Sequence, residues 1–176
     1  MAWTTPLTAV ANATLTAAQW NASVRDNLNE TAPALFDGNG QYIVSTGPNT
    51  CGVRAVFNAY NHDSDTTTST SYDDMSVAGP TVSRTSGTLV AVFVTAGVVN
   101  SVGGTSLMSF EMSGATTVAA DDAFAVGNTS PAGEWIQAST VIVRDANPGS
   151  TTYTSKYRVT SGTGTFQFRR IAVMPF

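Results

Sequence analysis

Much of this chain alternates apolar and polar residues with the two-residue period of a β-strand. The segment 53–60, VRAVFNAY, is apolar at every second position, and the segment 87–100, GTLVAVFVTAGVVN, is apolar at nearly every position. A strand that is apolar on both sides is covered on both faces. In an antiparallel sandwich the outer cover is often a neighbouring subunit, so this strand is a first indication of oligomerisation.

Further strand patterns follow along the rest of the chain. They cover 41–45, 106–112, 116–120, 123–126, 135–144, 152–159 and 165–174. Turn residues such as Asn147-Pro148-Gly149 separate them. About eight short strands with turn chemistry between them are typical of a β-sandwich or jelly roll. We therefore predict a mainly β chain in which residues 41–176 form an antiparallel β-sandwich.

The last two predicted strands are joined by the short segment Ser161-Gly162-Thr163-Gly164. Two long strands with a short Gly-containing connection predict a β-hairpin that ends at the C-terminal Phe176. Their aromatic residues are expected to pack in the core, and these are Tyr153, Tyr157, Phe166 and Phe168.

One segment near the start has helical signals instead. In TLTAAQWNASVRDNL, residues 14–28, Thr16 and Gln19 have the spacing of a capping box. Leu15 and Trp20 have the spacing of a hydrophobic staple. Pro33 is expected to end the segment. These signals predict one short helix at about 16–30 within an N-terminal arm of residues 1–40.

The apolar stripe of this helix is narrow, because Trp20, Val24 and Leu28 recur every four residues among polar neighbours. A helix of this length is marginal by itself in water. The stripe must therefore pack on something larger, either its own domain or a neighbouring subunit.

Composition and charge exclude some classes of function. Thr (27) and Ser (17) make up a quarter of the chain, Lys156 is the sole lysine, and the net charge is −4. A general nucleic-acid binder needs a clustered excess of basic residues. Five of the eight basic residues lie in the last third, either on solvated strand faces or on a patch for an acidic partner. Neither a secretory signal nor an apolar run of membrane-spanning length is evident, so a soluble protein is expected.

Candidate catalytic and metal-binding residues lack a supporting pattern. His62 is the single histidine, and it lies in the polar segment 61–74, predicted to be an exposed loop. The aspartates of that loop could hold Ca²⁺, but the Gly and distal Glu of an EF-hand are missing. A carboxylate pair could form among four residues, and these are Glu111, Asp121, Asp122 and Glu134. Cys51 is alone, which excludes an intrachain disulfide. We therefore expect no catalytic residue, no cofactor and no metal.

The segment 14–30, TLTAAQWNASVRDNLNE, resembles the LTAxxxNxxxRDNL segment found near the start of many small virion proteins of tailed bacteriophages, particularly those of actinobacterial hosts. The matching positions are Leu15, Thr16, Ala17, Asn21, Arg25, Asp26, Asn27 and Leu28. The tail 148–176 resembles the closing hairpin of jelly-roll domains in phage head and tail proteins, which are similar in shape to trimeric TNF- and C1q-like domains. The resemblance implies a trimeric structural protein at the surface of a virion, made in the host cytoplasm.

Together these features predict a homotrimeric capsid decoration protein, or minor capsid protein, on the outside of the phage head. Its expected partners are its own copies and the major capsid protein or other virion proteins, without nucleic acid or membrane. The expected anchoring residues are Trp3, Leu15, Trp20, Val24 and Leu28. Trp20 could equally pack on its own domain.

Other functions stay open at this point. A small tail, baseplate or fibre protein would present the loops at 61–74 and 128–133 to a host-surface glycan, although the chain has no heptad or repeat shaft. A carbohydrate-binding module would instead expose the aromatic residues of the last two strands. A glycan-hydrolysing enzyme would use the carboxylates around Asp122 and Glu134.

Overall fold

A computed structural model describes residues 4–8, 10–129 and 131–176. The chain forms two compact units, Met1–Ala55 and Val56–Phe176. The first unit contains short helices and the strands β1 (Gln41–Gly47) and β2 (Thr50–Ala55), which form a two-stranded antiparallel sheet of their own. The boundary between the units therefore follows this strand pair, whereas the sequence pattern placed it at residue 40.

The helical part of the first unit is interrupted in its middle. It consists of α1 (Ala17–Trp20), a π-helical turn (Asn21–Arg25) and α2 (Asp26–Leu28), and a separate turn α3 (Ala32–Leu35) follows. In the π-helical turn the Asp26 N–H donates to the Asn21 carbonyl, which widens the helix. Pro33 lies inside α3, where the first turn of a helix tolerates proline.

The second unit contains nine strands and one 3₁₀ turn within the part of the chain that the structure describes. They are β3 (Phe57–Asn61), β4 (Asp65–Thr67), β5 (Thr81–Ser86), β6 (Leu89–Asn100), β7 (Ser106–Gly114), the 3₁₀ turn (Asp122–Phe124), β8 (Val126–Asn128), β9 (Ile136–Asp145), β10 (Gly149–Val159) and β11 (Gly164–Pro175). Sheet I has the order β3-β11-β6-β9, with β4 also paired to β11, and sheet II has the order β5-β10-β7-β8. All pairs are antiparallel.

The strand order is that of a jelly roll. The chain changes sheet between β4 and β5, between β5 and β6, between β6 and β7, between β8 and β9, between β9 and β10, and between β10 and β11. Two facing antiparallel layers connected in this way, here of five and four strands, are characteristic of the jelly-roll architecture. The prediction of a mainly β, antiparallel jelly roll with a short helical segment near the start is confirmed.

The core lies between the two sheets and is built from alternate residues of the longest strands. Strand β6 contributes Val90, Val92, Val94, Ala96 and Val98; β7 contributes Met108, Phe110 and Met112; β10 contributes Tyr153 and Tyr157; and β11 contributes Phe166, Ile171 and Val173. Because successive side chains of a strand point to opposite faces, a period-two pattern places these residues on one side.

The predicted C-terminal hairpin is wrong. Strands β10 and β11 are joined by a short turn, but β10 pairs with β5 and β7 in sheet II, whereas β11 pairs with β3, β4 and β6 in sheet I. Each strand has one apolar face, and each buries that face against the opposite sheet. A local pattern that fits a hairpin also fits two strands that face each other across a core.

A β-bulge in β11 changes which residues point inward. The pairing register with β6 shifts between Gln167 and Arg170, and Phe168 has a φ of 52°. One extra residue in a strand reverses the face of the sheet to which every later side chain of that strand points. Phe166 is consequently buried, Phe168 is exposed and Arg169 is buried. The expectation that Phe168 packs in the core is wrong.

Four other segments differ from their predicted states. Residues 116–120 contribute a single bridge, Val118 to Met112, and residues 123–126 are largely the 3₁₀ turn and the start of β8. Strand β5, TVSRTS, was not predicted because Val82 is its sole large apolar residue. Strand β4 lies within the predicted loop at 61–74.

Gly97 on β6 makes room for the Trp135 side chain. A Cβ atom built at Gly97 would lie 2.3 Å from Cζ2 of Trp135. We expect Gly97→Ala to lower the free energy of unfolding by about 1–3 kcal/mol, because the indole must move off the sheet. Denaturant unfolding measures this. Gly38→Ala is the matched control, since its Cβ would meet nothing closer than 3.7 Å, and equal losses in the two variants would contradict the contact.

Candidate docking surface

The start of the helical segment is fixed by the predicted capping box. The Thr16 hydroxyl accepts from the Gln19 N–H at 3.2 Å, and the Thr16 N–H donates to Gln19 Oε1 at 3.0 Å. This exchange gives a partner to two backbone N–H groups, those of Thr16 and Gln19, at the start of the helix, where backbone donors lack partners within the helix. The helix therefore begins where the sequence predicted.

A second polar contact fixes the extended lead beside the helix. Asn27 is buried; its Oδ1 accepts from the Thr4 N–H at 3.0 Å, and its amide donates to the Thr4 carbonyl at 3.2 Å. The Thr4 hydroxyl donates to the Ala22 carbonyl at 2.8 Å, and the Leu7 N–H donates to Ser23 Oγ at 3.2 Å. Asn27 is thus one of the motif residues with a clear structural role.

The large apolar side chains of this segment stay at the surface. Leu15, Trp20 and Leu28 are 46%, 54% and 59% exposed. Val24, which lies in the π-helical turn, is half-buried. Trp3 lies outside the described residues. Polar contacts hold the segment in place while its largest apolar side chains remain in solvent.

A groove of about 190 Å³ beside the helix start adds two residues that the sequence did not single out. Leu7 and Val10 line it together with Leu15, and both are exposed. They lie in an extended lead without periodicity, so the pattern of the helix could not include them. The sequence distinguishes Leu7 and Val10 only as larger apolar residues among small neighbours.

Sheet I carries a second exposed apolar surface, here called the apolar face. Phe93 on β6 lies directly opposite Val141 on β9, and the two are 41% and 52% exposed. Val143, the next outward residue of β9, is 61% exposed and lies opposite Ala91. Ala172 on β11 continues the row on the other side of Phe93. The apolar face consists of these five residues, of which Ala91 is buried and Ala172 is half-buried. The outer cover predicted for β6 stays a prediction.

The outer surface of sheet II is charged and paired. Lys156 on β10 contacts Asp74 at 3.0 Å and Glu111 at 3.3 Å. Arg158, two residues further, forms an ion pair with Asp122. The pair between Lys156 and Asp74 attaches the end of segment 61–74 to sheet II. The basic residues of the last third do not form one patch, because they are divided between the two sheets and the core.

Asp122 is bound from two sides. Its carboxylate accepts from Arg158 Nε at 2.8 Å and from the Tyr72 hydroxyl at 2.8 Å. The hydrogen bonds from Arg158 lower the pKa of Asp122, and the bond from Tyr72 lowers it further. Burial raises the pKa of Tyr72, and the hydrogen bond to Asp122 raises it as well. A carboxylate held in its charged form by a guanidinium is suited to anchoring a loop.

Arg169 is the largest side chain in the core and is fully buried. Its guanidinium donates to the carbonyls of Val77 and Asp63, both at 3.2 Å. Asp65 lies in the same loop and accepts from the Val77 N–H at 2.6 Å. Burial alone would raise the pKa of Asp65, but hydrogen bonds and the charge of Arg169 together lower it. Together these contacts tie the loop after β3 to the core.

The other candidate residues are placed as follows. His62 packs against the rings of Tyr60 and Phe168. Asp121 caps the 3₁₀ turn through the Ala123 N–H. Cys51 is half-buried, and its Sγ donates to the Glu30 carbonyl.

Two features are absent from the described residues. No group of three or more His, Cys, Asp or Glu side chains there is arranged to hold a metal ion. No helix in that part of the chain has the length and apolar character needed to cross a membrane.

Comparison with known proteins gives similarities of structure and none of sequence. No family model and no curated protein matches the chain. The Eiger TNF of S. frugiperda superposes with a TM-score of 0.47 and 10% identity, over 70% of this chain and 94% of that chain. A chain in the structure of infectious bursal disease virus, Gx strain, superposes with a TM-score of 0.32 and 13% identity, over 74% of this chain and 39% of that chain.

Proposed function

We propose that this chain is a structural protein of a bacteriophage particle, namely a homotrimeric capsid decoration protein. The first unit attaches it to the major capsid protein or another virion protein. The jelly roll associates with two further copies. The protein acts at the surface of the particle and does no chemistry of its own.

The observation that carries this proposal is the exposure of Leu15, Trp20 and Leu28 on a segment that is held by polar contacts. A helix that packed on its own domain would bury this stripe. Large apolar side chains at a surface mark an interaction site, and a buried tryptophan contributes strongly to binding when a partner covers it. The resemblance of residues 14–30 to virion proteins supplies the class of partner.

The apolar face supports self-association as the second contact of the proposal. Phe93, Val141 and Val143 form a continuous row on two paired strands, whereas the outer surface of sheet II is charged and internally paired. Apolar strand surfaces are suited to permanent contacts between identical subunits.

Attachment can be tested with particles assembled without this protein. We expect the double variant Trp20→Ser with Leu28→Ser to bind such particles at least about tenfold more weakly than the natural chain, because two exposed anchors are removed. Co-sedimentation of purified protein with particles measures the binding. Deletion of residues 1–55, the whole first unit, should abolish it.

The control is Ala18→Ser, which alters an exposed helical position with a small side chain. This variant should bind as the natural chain does. Unchanged binding of the double variant would contradict the role of the helix. Full binding by the chain that lacks residues 1–55 would contradict attachment through the first unit altogether.

A further inference from the structure

A polar cleft of about 230 Å³ lies on the outer surface of sheet I, beside the apolar face. Its floor is formed by outward residues of three adjacent strands, namely Thr95 on β6, Gln137 on β9 and Arg170 on β11. Its walls are the rings of Phe168 and His62. The five side chains come from distant parts of the sequence and converge on one place.

The aromatic wall of this cleft is supported by its neighbours. Phe168 meets His62 with ring centroids 5.8 Å apart, and His62 lies on Tyr60 with centroids 4.8 Å apart. On the other side Trp135 contacts Phe168 edge to face at 6.4 Å. Trp135 in turn occupies the space that Gly97 leaves open. The Phe168 ring is therefore held in a fixed position at the surface.

The backbone at Phe168 is strained, and the strain places the ring in the cleft. A φ of 52° is rare for a large side chain, which collides with its own backbone there. Such strain persists only when the surroundings enforce it, and it concentrates at functional positions. In this chain the bulge directs Phe168 out of the core and into the wall of the cleft.

Arg170 supplies the charge of the cleft and has no acidic partner among the described residues. No Asp or Glu of the described chain lines the cleft or forms an ion pair with Arg170. Its guanidinium lies over the Tyr60 ring at 5.7 Å, a contact that leaves the N–H groups at its edge free to donate. A planar guanidinium is suited to binding a carboxylate through two parallel hydrogen bonds.

The size and lining of the cleft define its ligand. Its volume is below the roughly 300 Å³ at which sites for drug-sized molecules begin, so it suits one small unit of a larger molecule. The mixed lining requires an apolar ring face for Phe168 and hydroxyl groups for Gln137 and Thr95. We propose that the cleft binds one acidic sugar unit of a polysaccharide, with its carboxylate on Arg170 and its ring face against Phe168.

Binding can be measured by calorimetry with the full chain and three acidic oligosaccharides: oligogalacturonate, hyaluronan and polysialic acid oligomers. Each is compared with its methyl ester, which keeps the sugar and removes the charge. We expect at least one free acid to bind at least about tenfold more tightly than its ester, because the ester loses the charged hydrogen bonds. Equal binding of acid and ester, or no binding of any acid at millimolar concentration, would overturn the proposal.

Two variants separate the roles of the side chains. Arg170→Gln should remove the preference for the acid over the ester. Phe168→Gly should weaken binding of both forms without lowering the melting temperature, since glycine adopts a φ of 52° without strain. Arg25→Gln, which removes an exposed arginine of the first unit, is the control and should bind as the natural chain does. An acid preference that survives Arg170→Gln would overturn the assignment of the carboxylate.

Discussion

Replacing Arg169 with alanine is expected to lower the free energy of unfolding by about 3–5 kcal/mol, which is a large part of the stability of a small domain. The substitution leaves a cavity at a fully buried position. It also removes the hydrogen bonds to the carbonyls of Val77 and Asp63. The loop after β3 loses its connection to the core, so limited proteolysis should cut it faster. Denaturant unfolding measures the loss of stability.

Arg169→Met separates volume from hydrogen bonding. Methionine fills much of the same space without donors, and the loop carbonyls can turn toward water, so a smaller loss of about 1–2 kcal/mol is expected. The control is Arg170→Ala on the outer surface of the same strand, where a change within about 0.5 kcal/mol is expected. Equal stability of Arg169→Ala and Arg170→Ala would show that the buried guanidinium does not stabilise the fold.

The core could be predicted because it follows from local patterns. In β10 the inward residues Tyr153, Ser155, Tyr157 and Val159 alternate with outward ones, and all four are buried. The capping box could be predicted for the same reason, since its two residues are three positions apart. Such features need knowledge of one segment alone.

The two C-terminal strands, β10 and β11, show what local sequence patterns cannot predict. Alternation gives the inward side of β10, and of β11 as far as its bulge, but not the sheet that each strand joins, because hydrogen bonding along a strand edge is independent of the side-chain pattern. The bulge at Phe168 is equally hidden, since one extra residue reverses the sides without altering composition. Alternation from Phe166 and Phe168 therefore places Arg169 on the outward side, so it could not be recognised as a buried clamp.

The candidate sites also differ in how far local sequence spacing could predict them. The apolar residues Trp20 and Leu28 could be selected from the sequence because their spacing is regular, and their role in docking stays a prediction. Asn27 was matched as a motif residue, but its bond to Thr4 joins residues 23 positions apart, which no local rule provides. The cleft around Arg170 depends on three strands that meet in sheet I, so it required the fold.

The apolar face gives the second large expected effect. We expect Val141→Glu to convert the proposed trimer into a folded monomer. A glutamate buried without a partner costs several kcal/mol, and a symmetric assembly would bury one in each subunit. In the isolated chain the same position is half-exposed, so the cost to folding is small. Light scattering after size exclusion measures the mass, and the melting curve shows whether the chain stays folded.

The control for this change is Thr85→Glu, at an exposed position on edge strand β5 of sheet II. It introduces the same charge on the opposite surface and should leave the assembly intact. Phe93→Glu, which lies directly across from Val141, should act as Val141→Glu does. A natural chain that elutes with the 18.3 kDa mass of one chain at micromolar concentration would contradict self-association. A trimer that tolerates both glutamates would place the contact elsewhere, because an interface over this row cannot leave two carboxylates in water.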